Sequence, residues 1–331
     1  MATKKMKAIV ATGYGSPEVL KVVTVDRPTP KSDELLIKVK VSSATRADTM
    51  MRTGKPYIGR LFLGLTKPKN PIPGTGFSGV VEKIGEDVTS FKKGDAVFGE
   101  TTLNFSANAE YLVIKENGVV HPLPNYIDFE EAANFCDGHV TSYNFLKVKG
   151  KIEKGQKVLI NGASGALGTS AIQIAKHFGA HVTAVCSEKN EGLVKSLGAD
   201  IVINYNQENF TKTVNQYDII YDAVGKSSFR SCKAALTEKG LYLSPVLSFS
   251  LLFEVLLSNI SSKKKAIFEA TGTNSDERLN ILVTKVMEIY KAGGLKTFIN
   301  RQFPLEKLAE AHRYIDSGHK RGNVIILNNY K

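Results

Sequence analysis

The stretch "KVLINGASGALGTSAIQIAKHFG", residues 157–179, restricts what this chain can fold into more than any other. An apolar run of buried-strand type passes straight into a glycine-rich turn, and the turn opens a helix. Gly162, Gly165 and Gly168 punctuate it. Glycines in this context let the turn close tightly, let the backbone approach a pyrophosphate, and let the helix pack close to the strand. The free N–H groups and the dipole at the helix N-terminus then favour phosphate. The stretch therefore predicts the opening strand–helix–strand unit of a dinucleotide-binding sheet.

The same texture continues on its C-terminal side. "HVTAVC", "DIVINY", "YDIIYDAVG", "GLYLSPV" and "KAIFEATG" complete a set of six apolar runs separated by helical segments. Near-continuous Val/Ile/Leu runs between helices indicate a parallel sheet covered on both faces, with right-handed crossovers. Before Pro122 the pattern differs. "ELLIKVKVSSA" alternates apolar and polar residues, and "GTGFSGVVEKIGEDVTSFKKGDAVFGE" and "AEYLVIKENGVVHPLP" read as short strands broken by glycine. Such spacing suggests a small barrel-like β domain. After Gly272 come an amphipathic helix, "TFINRQF" as a strand, "PLEKLAEAHRYIDSG" as a helix and "RGNVIILN" as a last strand. These pieces have no parallel partner in sequence order and are expected to return to the first domain. The expected organisation is 1–123 in the β domain, 124–272 in the dinucleotide-binding domain, and 273–331 back in the first.

The chain has 331 residues, 42% hydrophobic and 23% charged, which suits two ordinary globular domains. The first residues contain no signal-peptide core. The longest apolar run, Ser244 to Asn259, carries Glu254 and falls short of the roughly 20 apolar residues a bilayer span needs. A cytoplasmic protein without a membrane partner is expected. Cys136, Cys186 and Cys232 are scattered, so neither a disulfide framework nor a cysteine-rich zinc lobe is expected. The formal net charge is +12, but the lysines are spread along the chain. That argues for a solvated basic surface, then for a phosphate-bearing small ligand, and against nucleic acid.

Cofactor choice is expected at the end of the second strand of the dinucleotide-binding sheet, about 20 residues past the loop. An acidic residue there holds both ribose hydroxyls and repels a 2′-phosphate. Here the strand ends "AVCSEKN". Ser187 is small and neutral, and Lys189 supplies charge for a phosphate. Tyr205, at the end of the third strand, is positioned in sequence to lie against the adenine or the phosphate. NADP(H) is the expected cofactor. Glu188 dissents: turned inward, it would favour the unphosphorylated form.

Taken in order, "GSPEVLKV", "DTMMRTG", "GTGFSGVVEKIGEDVTSFKKGDAVFG", "EYLVI", "FEEAANF", "TSYNFL", "KVLINGASGALGTSAIQIAK", "SLGAD", "YDIIYDAVG" and "RGNVIIL" span nearly the whole chain. Together they resemble the medium-chain dehydrogenase/reductase superfamily, and within it the zinc-independent, zeta-crystallin-like quinone oxidoreductases. The resemblance implies an α/β fold: a Rossmann doubly wound parallel sheet of strand order 3-2-1-4-5-6, plus a GroES-like β-barrel domain split between both chain ends. It also implies a homodimer. The expected cofactor-binding set is Thr141, Ser164, Gly165, Ala166, Leu167, Ser187, Lys189, Tyr205, Val224 and Val246.

Many members of that superfamily are zinc alcohol dehydrogenases with Cys, His and Cys at the catalytic metal. The matching positions here are Thr45, Thr75 and Asp137, with Gly76 at the neighbouring acidic position, and no four-cysteine lobe is present. No metal site is expected. Without a metal to stabilise an alkoxide, reduction of a quinone or a conjugated carbonyl is the more accessible chemistry. Hydride goes to an electron-poor carbon, and one or two hydrogen-bond donors stabilise the charge on oxygen. Thr45 stands where related quinone reductases often carry Asn, Thr141 matches a residue near the nicotinamide, and Tyr57 lies in a loop able to border substrate. Thr45, Tyr57 and Asp137 are the candidate catalytic residues. Asp137 with His139 is a weaker acid–base candidate, because residues two apart need not face each other. His121 and Cys136 read as structural. The apolar segment Leu247–Leu257 reads as a crossover helix that could also wall the substrate pocket or cover a dimer contact. The expected activity is NADPH-dependent reduction of small apolar quinones or α,β-unsaturated carbonyls. The alternatives are an enoyl-thioester reductase, an NADP-dependent alcohol dehydrogenase, and a non-catalytic nucleotide-sensing or RNA-binding protein.

Overall fold

A computed structural model describes residues 4–328, the side chains of Phe62 and Ser261 excepted. The chain forms two compact units. The first gathers the residues up to Asp137, Ser275–Ile281 and the chain from Thr297 onward; the second holds Gly138–Asn274 and Leu282–Lys296.

The second unit is built on a six-stranded parallel sheet. Its strands are Lys157–Asn161, His181–Cys186, Ile201–Asn204, Tyr217–Asp222, Leu236–Ser244 and Lys265–Phe268, ordered 3-2-1-4-5-6 when counted along the chain. This is the doubly wound order the resemblance implies. Val158, Leu159 and Ile160 are all fully buried. Consecutive residues of a strand face opposite sides, so both faces of this central strand are covered. Leu159, Val185, Ile203 and Ile220 join Phe210, Tyr217, Leu236 and Tyr242 in one core on a face of the sheet. The helix Phe249–Ser261 connects the fifth and sixth strands. Ser248 caps it by accepting a hydrogen bond from Leu251 N at 3.1 Å. Leu251 is buried in the core, with Val255 against it. The other side exposes Phe249, Leu252, Phe253, Leu256, Leu257 and Ile260.

The first unit is centred on the strand Glu34–Ser43. It pairs antiparallel with Gly76–Ile84, with Tyr111–Lys115 and with the final strand Asn323–Leu327. Ala96–Glu100 and Val119–Pro122 extend the sheet at one end, and Ile299–Pro304 at the other. Ile299–Pro304 and Asn323–Leu327 run parallel to each other, joined by the helix Leu308–Asp316. These late strands therefore do find a parallel partner, each other, within a sheet that is otherwise antiparallel. A separate antiparallel pair, Lys5–Ala11 with Leu20–Asp26, completes the unit. The alternation of "ELLIKVKVSS" is only partial: Leu35, Leu36 and Ile37 are all buried, because this strand is the hub of the sheet.

The first unit runs on to Asp137, past the expected boundary after residue 123. Packing accounts for the difference. Ser78 Oγ donates to Phe129 O at 2.6 Å, Ala133 shares a core with Val41 and Ile325, and the Phe135 ring meets Phe98 edge-on with centroids 5.3 Å apart. Residues 282–296, expected in the returning segment, group with the second unit. There Gln173 and Lys296 exchange two hydrogen bonds, Gln173 Nε2 to Lys296 O at 3.0 Å and Lys296 N to Gln173 Oε1 at 2.9 Å. No helix among the described residues is long and apolar enough to cross a membrane.

Candidate active site

Two of the three glycines in the loop of the second unit, Gly162 and Gly168, leave no room for a side chain. Gly162 has a φ of 78°, and a Cβ there would meet Val224 Cγ2 at 1.9 Å. A Cβ on Gly168 would lie 2.3 Å from Gly162 O and 2.6 Å from the Ala163 backbone. Gly165 is the N-cap of the helix Ala166–His177, which has no side-chain cap and no acidic residue in its first turn. The opening N–H groups, those of Ala166 and Leu167 among them, belong to a turn that lacks intrahelical acceptors and favours an anion.

Three further loops meet this one. Asn190 is buried, and its Nδ2 donates to Ser164 Oγ at 3.0 Å and to Ser187 Oγ at 3.1 Å. It ties the glycine loop to the end of the second strand. Its Oδ1 is buried without a partner, an acceptor suited to a hydroxyl. Tyr205 N donates to Cys186 O at 3.2 Å, which sets Tyr205 beside the same strand end with 56% of its surface exposed. Glu188 and Lys189 are both exposed, and neither makes an ion pair among the described residues. Ser142 Oγ donates to Leu167 O at 2.9 Å, which brings the segment of Thr141 to the glycine loop.

Asp222 organises the remaining side. It is fully buried and accepts from Val224 N, Gly225 N, Ser227 N, Asn161 Nδ2 and Tyr242 Oη at 2.7–3.2 Å. Its own carbonyl accepts from Ser244 Oγ at 2.8 Å, and that hydroxyl accepts from Val246 N at 3.3 Å. One carboxylate thus fixes the loops that carry Val224 and Val246. Sequence reasoning missed both Asn190 and Asp222. The only signal for Asp222 was an acid at the end of an apolar run, followed by glycine in "YDAVG". The donor set, the three side-chain-free positions and the unpaired Asn190 Oδ1 fit a bound dinucleotide.

The first unit carries a different kind of site. Thr45 caps the helix Arg46–Thr53 in a capping box. Thr45 N and Oγ1 each donate to Asp48 Oδ2 at 2.8 Å, and Asp48 N donates to Thr45 Oγ1 at 3.1 Å. Asp48 is completely buried, and its Oδ1 has no partner. Burial raises its pKa to about 6 against the lowering effect of the Thr45 hydrogen bonds, with Asp137 adding to the rise. Glu100 lies opposite Gly76 in the sheet. Burial, then Asp137 and Asp48, push it up to about 8. Asp137 is itself raised by burial, with Lys320 pulling the other way. Lys320 is lowered by burial and raised by Asp137 and Asp48. Glu100 thus senses both aspartates, and each aspartate senses Lys320.

Tyr57 is 65% exposed, and its ring centroid is 4.8 Å from the Arg60 guanidinium. Among the described residues it makes no hydrogen bond to the carboxylates. His139 is buried, and its Nδ1 engages Ser170 Oγ at 2.8 Å. Burial drops its pKa to about 3, which leaves a neutral, structural imidazole. His121 Nε2 meets Asn280 Oδ1 at 2.8 Å. Cys136 is buried and its thiol is pushed well up by burial, as an inert core residue should be. The metal positions do not fit zinc. Thr45 spends its hydroxyl on Asp48, Thr75 offers another hydroxyl, and Asp137 is the single carboxylate. Among the described residues, no three His, Cys, Asp or Glu side chains are gathered to hold a metal.

Known proteins match this architecture from end to end. Residues 31–125 match the alcohol dehydrogenase GroES-like domain, and residues 197–326 the zinc-binding dehydrogenase family. Residues 131–228 match the alanine dehydrogenase/PNT C-terminal domain. The quinone oxidoreductase of Homo sapiens is 30% identical over 99% of this chain and 100% of its own length. The chloroplastic NADPH-dependent alkenal/one oxidoreductase of Arabidopsis thaliana is 30% identical over 98% of this chain and 80% of its own. The solved quinone oxidoreductase of Coxiella burnetii superimposes with a TM-score of 0.87 at 28% identity, covering 98% of this chain and all of the other. Fold and loop together define an oxidoreductase built for a nicotinamide cofactor. The chain belongs to the medium-chain dehydrogenase/reductase superfamily, in its zeta-crystallin-like quinone oxidoreductase branch.

Proposed function

We propose that this chain is a zinc-independent reductase that uses NADPH to reduce quinones or α,β-unsaturated carbonyl compounds. The observation that carries the reading is the pairing of an intact dinucleotide loop with a first unit whose metal positions hold Thr45, Thr75 and Asp137. Full-length similarity to quinone and alkenal/one oxidoreductases supports the acceptor class. When bound, the reduced nicotinamide supplies a hydride. The N–H groups of Ala166 and Leu167 hold the pyrophosphate, with Ser164, Gly165 and Gly168 keeping the backbone close. Ser187 and Lys189 receive the 2′-phosphate, and Tyr205 flanks it. Thr141, Val224 and Val246 line the nicotinamide end. Thr45 and Asp137 belong to the acceptor side.

The protein acts as a cytoplasmic homodimer in this reading. The exposed stripe Phe249, Leu252, Phe253, Leu256, Leu257 and Ile260 supports the dimer, since a stripe of this kind is buried in an interface more often than left in water. The test is NADPH oxidation followed against a panel of quinones, enones, alkenals and crotonyl-CoA, with and without a chelator. Turnover of quinone or enone, unchanged by chelation and with a lower KM for NADPH than for NADH, is expected. Loss of rate on chelation, or a KM for NADH equal to or below that for NADPH, refutes the metal-free or the NADPH part.

A further inference from the structure

The first unit holds a pocket of about 80 Å³ whose lining includes none of Thr45, Asp48, Glu100 and Asp137. That is the space of about five to eight water-sized spheres, room for a short alkyl chain. Met51, Leu63, Pro68, Pro71, Leu103 and Phe105 make its walls apolar. Pro68, Pro71 and Pro73 have no N–H, so the lining has no backbone donor at those three positions. Hydrogen bonds between the loops preform the walls. Lys69 N donates to Leu63 O at 2.8 Å, Ala11 N to Pro71 O at 2.8 Å, and Asn70 Nδ2 to Leu103 O at 3.1 Å. Phe105 is buried at a φ of 54°, and along the same loop Thr102 has a φ of 49° and Ser106 one of 80°. Three non-glycine residues in the left-handed region within one short loop are costly, and strain of this kind collects where a ligand site is preorganised.

Two cationic side chains line the pocket, and only one has capacity left. Arg52 is buried and committed: its Nε donates to His312 Nδ1 at 3.1 Å, and its Nη atoms donate to Gly15 O and to Asp316. Lys69 is exposed, and its ammonium makes no ion pair or hydrogen bond among the described residues. The surrounding segment has the same sign. Between Gly54 and Val81 the chain carries Lys55, Arg60, Lys67 and Lys69 and no aspartate or glutamate. Leu61, Leu65 and Leu103 add exposed apolar surface in these loops. Apolar walls with one uncommitted ammonium select a ligand that has an alkyl chain and an anionic head. We infer that this pocket binds a short- to medium-chain carboxylate, its chain against Met51, Leu63 and Phe105 and its carboxylate on Lys69. The site lies wholly within the first unit, and the inference does not rest on the chain being a reductase.

Hexanoate tests this on the full chain, labelled with carbon-13 at its five methionine methyls. The Met51 signal is assigned by its loss in Met51→Leu. Hexanoate should shift that signal saturably and leave those of Met6 and Met287, which line no part of the pocket, in place. Each methylene added from butyrate to hexanoate should tighten binding about fourfold, the factor for burying one CH2 group. Lys69→Ala, at an exposed position, should weaken hexanoate about two- to fivefold, as the loss of a solvent-exposed ion pair does, and leave hexan-1-ol unaffected. No saturable shift of Met51, equal affinity for butyrate and hexanoate, or a Lys69→Ala variant that binds hexanoate like the parent or loses carboxylate and alcohol alike overturns the assignment. An anionic lipid surface is the competing occupant of these basic, apolar loops. Co-sedimentation with phosphatidylglycerol vesicles while hexanoate leaves Met51 unmoved would give the loops to that surface and overturn the pocket.

Discussion

Replacing Gly168 with alanine tests the cofactor loop most sharply. The new Cβ would sit 2.3 Å from Gly162 O and 2.6 Å from the carbonyl carbon and Cα of Ala163. All three obstacles are backbone, so no side chain can swing aside. Ordinary carbon–oxygen contact needs about 1 Å more, and the helix Ala166–His177 must move away from its strand by about that much. Overpacking of this kind costs about 1–3 kcal/mol, and unyielding neighbours place it at about 2–3 kcal/mol. For a domain of this size each kcal/mol lowers Tm by about 2–4 °C, so a fall of about 4–12 °C is expected. The displaced N–H groups would leave hydrogen-bonding range of a pyrophosphate. Losing one or two bonds to a charged group, at about 1.5–3 kcal/mol each, weakens NADPH binding by about 100-fold. Thermal unfolding and fluorescence titration of NADPH measure the two effects. Two controls make the test specific. Gly165→Ala meets nothing closer than 3.4 Å at a φ of −80°, so its Tm should not move. Gly192→Ala meets nothing within 4 Å and lies in the helix Glu191–Ser196, so it should gain about 0.5–1 kcal/mol. A Gly168→Ala protein with parental Tm and NADPH affinity refutes the steric argument.

Three other outcomes follow. Thr45→Ala removes a helix cap and should cost about 0.5–2 kcal/mol in denaturant unfolding; unchanged kcat would assign Thr45 to the cap alone, whereas a fall in kcat would place its hydroxyl at the acceptor. Lys189→Ala should raise the KM for NADPH several-fold and leave that for NADH unmoved, while Ser187→Asp should reverse the preference; equal effects on both cofactors would remove these residues from the 2′-phosphate. Glu100 titrates at about 8 in the fold against 4.5 for an unperturbed glutamate. A raised carboxylate contributes its stability below the unfolded value and loses it as pH rises through the folded one. Glu100→Gln should therefore flatten the decline of the urea midpoint between about pH 4.5 and 8, and parallel curves for parent and variant would contradict the burial of an acid here.

How far the sequence reaches is clear from particular residues. The turn at Gly162, Gly165 and Gly168 was legible because its requirement is local: a positive φ and a close backbone approach are written one residue at a time. The six parallel strands were legible for a related reason. A strand covered on both faces must be apolar at successive positions, and Val158–Leu159–Ile160 satisfies that without reference to anything distant. Asp222 and Asn190 were not legible. Each acts through partners in other loops, and a carboxylate that accepts five hydrogen bonds looks in sequence like any other aspartate. The boundary at Asp137 was set by contacts of Phe129, Ala133 and Phe135 with a sheet whose strands lie far away along the chain.

The sequence by itself determined the two textures, the glycine loop, the family and the replacement of metal-ligand residues, since each rests on residue type and short spacing. Only the tertiary structure buried Asp48, Glu100 and Asp137 together, so that both aspartates raise the pKa of Glu100. Desolvation and Coulomb interaction depend on distance through space and on burial, and neither has a period that a linear sequence can display.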